Sequence, residues 1–195
     1  GLSDAEIMRL IGVPDMPAEG AFFPDTYLFS KQSRDLDVLA RSWRTMQRHL
    51  AREWAGRETA LPYANAQQAL IMASIIEKET AVAEERDRVA SVFINRLRIG
   101  MRLQTDPAVI YGLGEKFDGD LRRADLETDT PYNTYTRTGL TPTPIAFVGE
   151  AALNAATRPA QTPALYFVAR GDGSSQFSAS LEEHNAAVSK YQLRR

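Results

Sequence analysis

The sequence predicts an α+β protein, with several helices packed around a small, mainly antiparallel sheet and one buried helix at the centre. Three observations carry this. Residues 66–78 are apolar on almost every side of a helix, the pattern of a buried rod. Residues 36–54 repeat Leu36, Leu39, Trp43, Met46, Leu50 and Trp54 at three- and four-residue steps, which is an amphipathic surface helix. Residues 164–180 read strand, turn, strand.

Composition sets the limits. The 195 residues suit one domain, and 44% hydrophobic with 25% charged residues is ordinary for a packed core with a solvated surface. A net charge of −2 argues against a general nucleic-acid binder. The lack of cysteine excludes disulfides, thiolate metal sites and a cysteine nucleophile. Two histidines far apart in sequence make a histidine-based zinc site an unpromising reading. No phosphate loop, dinucleotide fingerprint or Gly-x-Ser-x-Gly elbow occurs, so neither a cofactor nor a metal is expected. No apolar run approaches the ~20 residues of a membrane span. The chain opens at Gly1 without a leader and reads as a processed or trimmed piece, whose anchor would lie upstream.

The first element is a short helix opened by Ser3 and Glu6, a capping box, and stopped by Gly12 and Pro14. Residues 18–29 are dense in aromatic rings and broken by Gly20 and Pro24. They form either a loop packed down by its rings or a wall on which sugar rings stack. In helix 36–54 the face carrying Arg41, Arg44, Arg48 and Arg52 is a solvated stripe, with contact to an anionic polymer or lipid headgroup the lesser reading. His49 on the same helix is read as structural.

Asn65 caps the central helix, with Gln68 completing the box. At its other end stand Glu77, Lys78 and Glu79. Glu77 shares a stripe with Leu70, Ala73 and Ser74, which extends the apolar face to a carboxyl at the negative end of the helix dipole. Such a setting disfavours the charged form and suits a general acid. Equally, Glu77 can begin a solvated helix end and pair with Arg88 or Lys78. The residues alone leave both readings open.

Arg86 to Leu97 is another helix, ended by Gly100, with the polar Asn95 close to its apolar side. Residues 101–107 read as an extended run halted by Pro107, followed by Val109-Ile110-Tyr111 and a loop opened by Gly112 and Gly114. Residues 118–143 are polar and turn-rich, and loops of that length inside a domain are more often functional than idle. Within them Pro131-Tyr132-Asn133-Thr134-Tyr135 collects hydroxyl, amide and ring groups, for substrate or for the loop's own hydrogen bonds. A helix follows Gly149, strands are expected at 164–169 and 176–180 across the Gly171–Ser175 turn, and Leu181 begins a last helix carrying His184 and Asn185.

Taken together, several motifs resemble those of the YceG-like endolytic murein transglycosylases. They are Ala73-Ser74-Ile75-Ile76-Glu77-Lys78-Glu79-Thr80, Val89-Ala90-Ser91-Val92-Phe93-Ile94-Asn95-Arg96-Leu97, Leu103-Gln104-Thr105-Asp106-Pro107, Pro131-Tyr132-Asn133-Thr134-Tyr135, Gly139-Leu140-Thr141-Pro142-Thr143-Pro144-Ile145-Ala146 and Tyr166-Phe167-Val168-Ala169. The resemblance runs from about Gly20 to about Tyr191. It implies a bacterial inner-membrane enzyme whose catalytic domain faces the periplasm and cuts glycan strands internally. Members carry an N-terminal membrane helix and usually a small LysM-like module. On that basis residues 1–195 form one soluble catalytic domain, with 1–19 the tail of the upstream module or a linker. Peptidoglycan glycan strands are the implied partner, peptidoglycan synthases a further one, and nucleic acid none.

The implied chemistry splits the β-1,4 bond from N-acetylmuramic acid to N-acetylglucosamine without water and leaves a 1,6-anhydro end. One carboxyl suffices where ordinary glycosidases need two, because the attacking C6 hydroxyl belongs to the same sugar. Glu77 is the expected general acid and base. Gln104, Tyr132, Asn133 and Tyr135 are expected to hold the sugar, with Asn95, Asp106 and Glu79 added as contacts; the last two are alternatively structural ion-pair partners. One position departs from the family: Ser175 in Gly173-Ser174-Ser175-Gln176-Phe177 stands where members commonly have histidine. A hydrolytic muramidase and a non-catalytic peptidoglycan-binding or scaffolding module are the other functions weighed.

Overall fold

The computed structural model describes residues 1–193. Its elements in chain order are α1 (Asp4–Leu10), α2 (Asp35–Ala55), α3 (Ala66–Glu79), α4 (Arg86–Arg98), α5 (Asp106–Leu113), α6 (Arg123–Glu127), α7 (Glu150–Thr157), β1 (Tyr166–Ala169), β2 (Ser175–Ser178) and α8 (Leu181–Tyr191). Helices with a two-stranded antiparallel sheet make the α+β fold that the sequence predicts.

The centre is α3. Every residue from Ala69 to Ile76 is buried, so no side of the helix is left to water over two turns. Asn65 Oδ1 accepts the Gln68 N–H at 3.0 Å, while Gln68 Oε1 accepts the Ala64 N–H at 2.7 Å, so the box closes one residue early. Against α3 lies α7, whose Ala152, Ala155 and Ala156 are fully buried. Methyl side chains there let the two backbones approach closely. Ser74, the buried polar side chain of α3, is satisfied twice: its Oγ donates to Ile71 O at 2.7 Å and accepts the Ile145 N–H at 3.0 Å. Truncating a buried member such as Ile75 to alanine should cost roughly 2–5 kcal/mol.

The aromatic stretch before α2 resolves into two parts. Phe23 is buried, stacked on His49 at 4.1 Å, and its carbonyl accepts from Ser42 Oγ and from Tyr27 OH. Leu28 and Phe29 are exposed, and Arg41 donates to Leu28 O. Both the packed-loop reading of Phe23 and the structural reading of His49 therefore describe what is seen.

The extended reading of 101–107 needs correction at its end. Asp106 and Pro107 open α5 instead of closing a strand, because proline is well suited to the first turn of a helix, where no N–H is needed. Gly112 belongs to that helix, not to a loop. A Cβ there would come within 3.0 Å of both Thr130 Oγ1 and Tyr132 Cβ, so glycine lets the 130–132 segment close on α5. β1 and β2 pair in the register Tyr166↔Ser178 to Ala169↔Ser175, and β1 packs on α4 and α8. No helix among the described residues is long and apolar enough to cross a membrane.

Candidate active site

A cleft of about 440 Å³ opens where α3 ends, and segments distant in sequence build it. Glu79, Gln104, Asp106 and Tyr135 line it together with Phe93 and Arg96 of α4, Tyr166 and Phe167 of β1, and three residues of α8.

Glu79 is the last residue of α3 and its carboxyl is largely buried. Thr105 Oγ1 donates to Glu79 Oε2 at 2.6 Å. Burial pushes the Glu79 pKa upward; the Thr105 hydrogen bond opposes this, Asp106 adds to it, and Arg96 opposes it. The outcome is a carboxyl that holds its proton above the usual range.

Thr105 is itself fixed. Its N–H donates to Thr134 Oγ1 at 3.0 Å, Thr134 Oγ1 donates back to Thr105 O at 3.2 Å, and the Gln104 N–H reaches Thr134 O at 3.1 Å. The loop 133–135 is thereby laced to 103–105, and both present side chains to the cleft. Gln104 pays in backbone strain, with φ at +51°, the one positive φ of a residue other than glycine among those described. Tyr135 OH donates to Asp106 Oδ1 at 2.5 Å, and burial together with that carboxylate keeps the phenol protonated.

The expected site residues divide. Glu79, Gln104, Asp106 and Tyr135 come together. Glu77 does not line the cleft: side chains two apart on a helix point about 200° from one another. Its Oε2 instead accepts the Gly149 N–H at 3.1 Å, at the positive end of α7. Of the partners expected for a structural Glu77, Arg88 lies over the Phe177 ring, 4.0 Å from its centroid.

Asn133 is fully buried, its Nδ2 donating to the carbonyls of Asp125, Leu126 and Thr128 and its Oδ1 accepting the Tyr135 N–H. It shapes the loop and has no group left for substrate. Tyr132 packs its ring on Tyr111 at 4.9 Å and shares a 2.8 Å hydrogen bond with Thr143 Oγ1, outside the cleft. Asn95 Nδ2 spans Thr162 O and Ala164 O, tying α4 to the lead-in of β1. Ser175 pairs with Ala169, and its N–H donates to buried Glu85 at 2.7 Å, so the departing turn also lies outside the cleft.

What sequence reading missed is the part built by α4, β1 and α8. Tyr166, His184 and Asn185 lie far along the chain from Arg96, and no local periodicity links them to it. Only the Asn95-Arg96 pair within a motif hinted that α4 carries more than packing.

A polar cleft around a largely buried carboxyl whose pKa is raised, in a helical α+β domain, defines a protein with a built site for a polar ligand. The chain belongs to the YceG-like family, whose profile matches residues 3–190. It is 42% identical over 175 residues to the endolytic murein transglycosylase of Bacillus subtilis, covering 90% of this chain and 48% of that protein. The endolytic murein transglycosylase of Streptococcus pneumoniae serotype 2 is 29% identical over 179 residues, covering 89% of this chain and 32% of that protein. A crystal structure of a yceG-like protein from Listeria monocytogenes superposes with a TM-score of 0.75 at 38% identity, covering 88% of this chain and 56% of that one. The chain thus spans about half the length of the Bacillus relative and a third of the Streptococcus one.

Proposed function

We propose that this chain is the catalytic domain of an endolytic peptidoglycan lytic transglycosylase in which Glu79, in place of the expected Glu77, is the general acid and base. The observation that carries this is the Glu79 carboxyl: largely buried, holding its proton above the usual range, and oriented by Thr105 in a cleft shared with Gln104, Asp106 and Tyr135. Two relatives named endolytic murein transglycosylases support the substrate class.

The step balances with one carboxyl. Thr105 occupies Oε2, so the Glu79 proton rides on Oε1 and passes to the glycosidic oxygen as the bond from muramic C1 breaks. The leaving N-acetylglucosamine gains a hydroxyl. The muramic C6 hydroxyl attacks C1 from within the same sugar and closes the 1,6-anhydro ring. Its proton returns to the Glu79 carboxylate, which the Thr105 hydrogen bond and the Arg96 charge stabilise in the interval. Asp106 is engaged by Tyr135, and Gln104 offers its amide to the sugar.

Residues 1–19 are the tail of an upstream module or linker. The enzyme works on the outer side of the bacterial inner membrane, held by an anchor upstream of this chain and near peptidoglycan synthases. Mass spectrometry of muropeptides after digestion of purified sacculi tests the reaction. Anhydro ends produced by the wild type and not by Glu79→Gln are expected. Products heavier by one water would make it a hydrolase, and binding without cleavage would make it a scaffold.

A further inference from the structure

Beyond the influence of the Arg96 charge on Glu79, the acid chemistry above gives the α4–β1–α8 part of the cleft no task, yet that part is built. Arg96 is only 7% exposed. Its Nε donates to Leu165 O at 2.7 Å, and its Nη1 to Leu103 O at 2.7 Å and Arg102 O at 3.5 Å. These bonds lock the guanidinium in place and leave Nη2 without a partner among the described residues. His184 lies on the same aromatic platform. Its ring stacks on Tyr166 at 5.1 Å and 22°, and the Arg96 Cζ lies 5.3 Å from the centroid of that ring. His184 Nδ1 is enclosed and unpartnered, so Nε2 is the nitrogen left to meet a ligand.

The carboxyls of the cleft are held by other donors, Glu79 Oε2 by Thr105 and Asp106 Oδ1 by Tyr135, and neither pairs with Arg96 or His184 among the described residues. Burial, and after it the Arg96 charge, hold the His184 imidazole below its usual pKa, so it offers a neutral ring with one N–H. Arg96 Nη2 is thus a fixed cationic donor at the open side of the cleft, free to meet an acceptor on a ligand. The groups on a murein strand that fit are acyl oxygens, on the acetamido substituents and on the lactyl ether of the muramic ring.

Resting on the glycan-cleft reading above, we infer that Arg96 and His184 form an acyl-oxygen subsite that holds a carbonyl of the strand while Glu79 acts. Arg96 supplies the charged donor, and His184 the neutral one that completes it. Tyr166 keeps the two in register beneath the sugar.

The test uses Glu79→Gln chain, which binds without turning over, and the same chain carrying His184→Phe. Phenylalanine keeps the ring on Tyr166 and removes both nitrogens. Calorimetric titration compares a murein glycan strand with a chitin oligosaccharide of equal length, which has acetamido groups and no lactyl ether. His184→Phe should weaken strand binding about 3- to 10-fold, the worth of one neutral hydrogen bond. An equal loss on both ligands assigns the oxygen to an acetamido group, and a loss confined to the murein strand assigns it to the lactyl group. Unchanged affinity for both, with cleavage abolished by Glu79→Gln, overturns the subsite and leaves the acid assignment standing. Cleavage that survives Glu79→Gln overturns the cleft reading itself.

Discussion

The Thr105 hydroxyl donates to Glu79 Oε2 at 2.6 Å, across 26 residues of sequence. That bond does two things at once. It ties down Oε2 and leaves Oε1 as the oxygen without that donor, and it tempers the rise in pKa that burial imposes.

The two glutamates at the end of α3 should separate cleanly. Glu79→Gln keeps size and polarity and cannot donate the proton, so release of anhydro-muropeptides should fall by roughly 10²- to 10⁴-fold. Glu77→Gln keeps an oxygen acceptor for the Gly149 N–H and should retain turnover while losing about 1 kcal/mol of stability. Equal losses of activity in the two variants would refute the assignment.

Thr105→Val removes the donor at nearly constant volume. The remaining causes then push Glu79 further upward, and the carboxyl loses its fixed orientation. The rate should drop roughly 10-fold, and the alkaline limb of the pH–rate profile should move to higher pH. A lower rate with an unmoved limb would mean that Thr105 only packs.

Activity should fall as pH rises through the raised Glu79 pKa, because the acid form is lost. Stability follows the same sign. A group whose folded pKa lies above its unfolded one favours the fold at low pH, and that contribution is lost as pH climbs through the folded value. Thermal melts of wild type and Glu79→Gln should therefore diverge with rising pH, the variant gaining stability relative to the wild type. Melts that stay parallel from pH 5 to pH 8 would contradict this.

Glu53 predicts the opposite pH dependence. Burial alone would raise its pKa, but hydrogen bonds from Arg158 at 2.5 Å, Arg52 at 3.0 Å and Asn154 at 3.2 Å outweigh burial and hold it below the usual range. A depressed folded pKa gives stability that is present above the unfolded value and disappears as pH falls through the folded one. Glu53→Gln should cost about 1–3 kcal/mol at neutral pH, with the arginines partly hydrated and the loss moderated accordingly. Urea midpoints of wild type and variant should converge as the pH is lowered.

Gln104 joins strain to function. Gln104→Gly should relieve the positive φ and recover about 1 kcal/mol, while removing an amide that lines the cleft. Gln104→Ala keeps the strain and loses the amide. Both should lose activity and only the glycine variant should melt higher; a glycine variant no more stable than the alanine one would show the backbone there to be unstrained.

The sequence by itself determined the α+β class, the buried rod of α3 with its Asn65 cap, the basic stripe of α2 and the kinship carried by the ordered motifs. Those features are local: periodicity, capping and turn residues act within a few positions of one another. It also determined that α3 ends in two carboxylates on nearly opposite sides. Which of them faces the cleft was decided by what packs against each side, α7 with its Gly149 N–H taking Glu77 and the Thr105–Thr134 lacing taking Glu79. Asn133 and Tyr132 read as sugar contacts because amides and rings suit sugars; the fold sets the Asn133 amide on the loop's own carbonyls and the Tyr132 ring on Tyr111. Arg96 and His184 line one cleft only because α8 folds back onto β1, which itself packs on α4. Periodicity reports which face of an element is buried; what that face meets is set by chain segments far away, and only the packed structure specifies it.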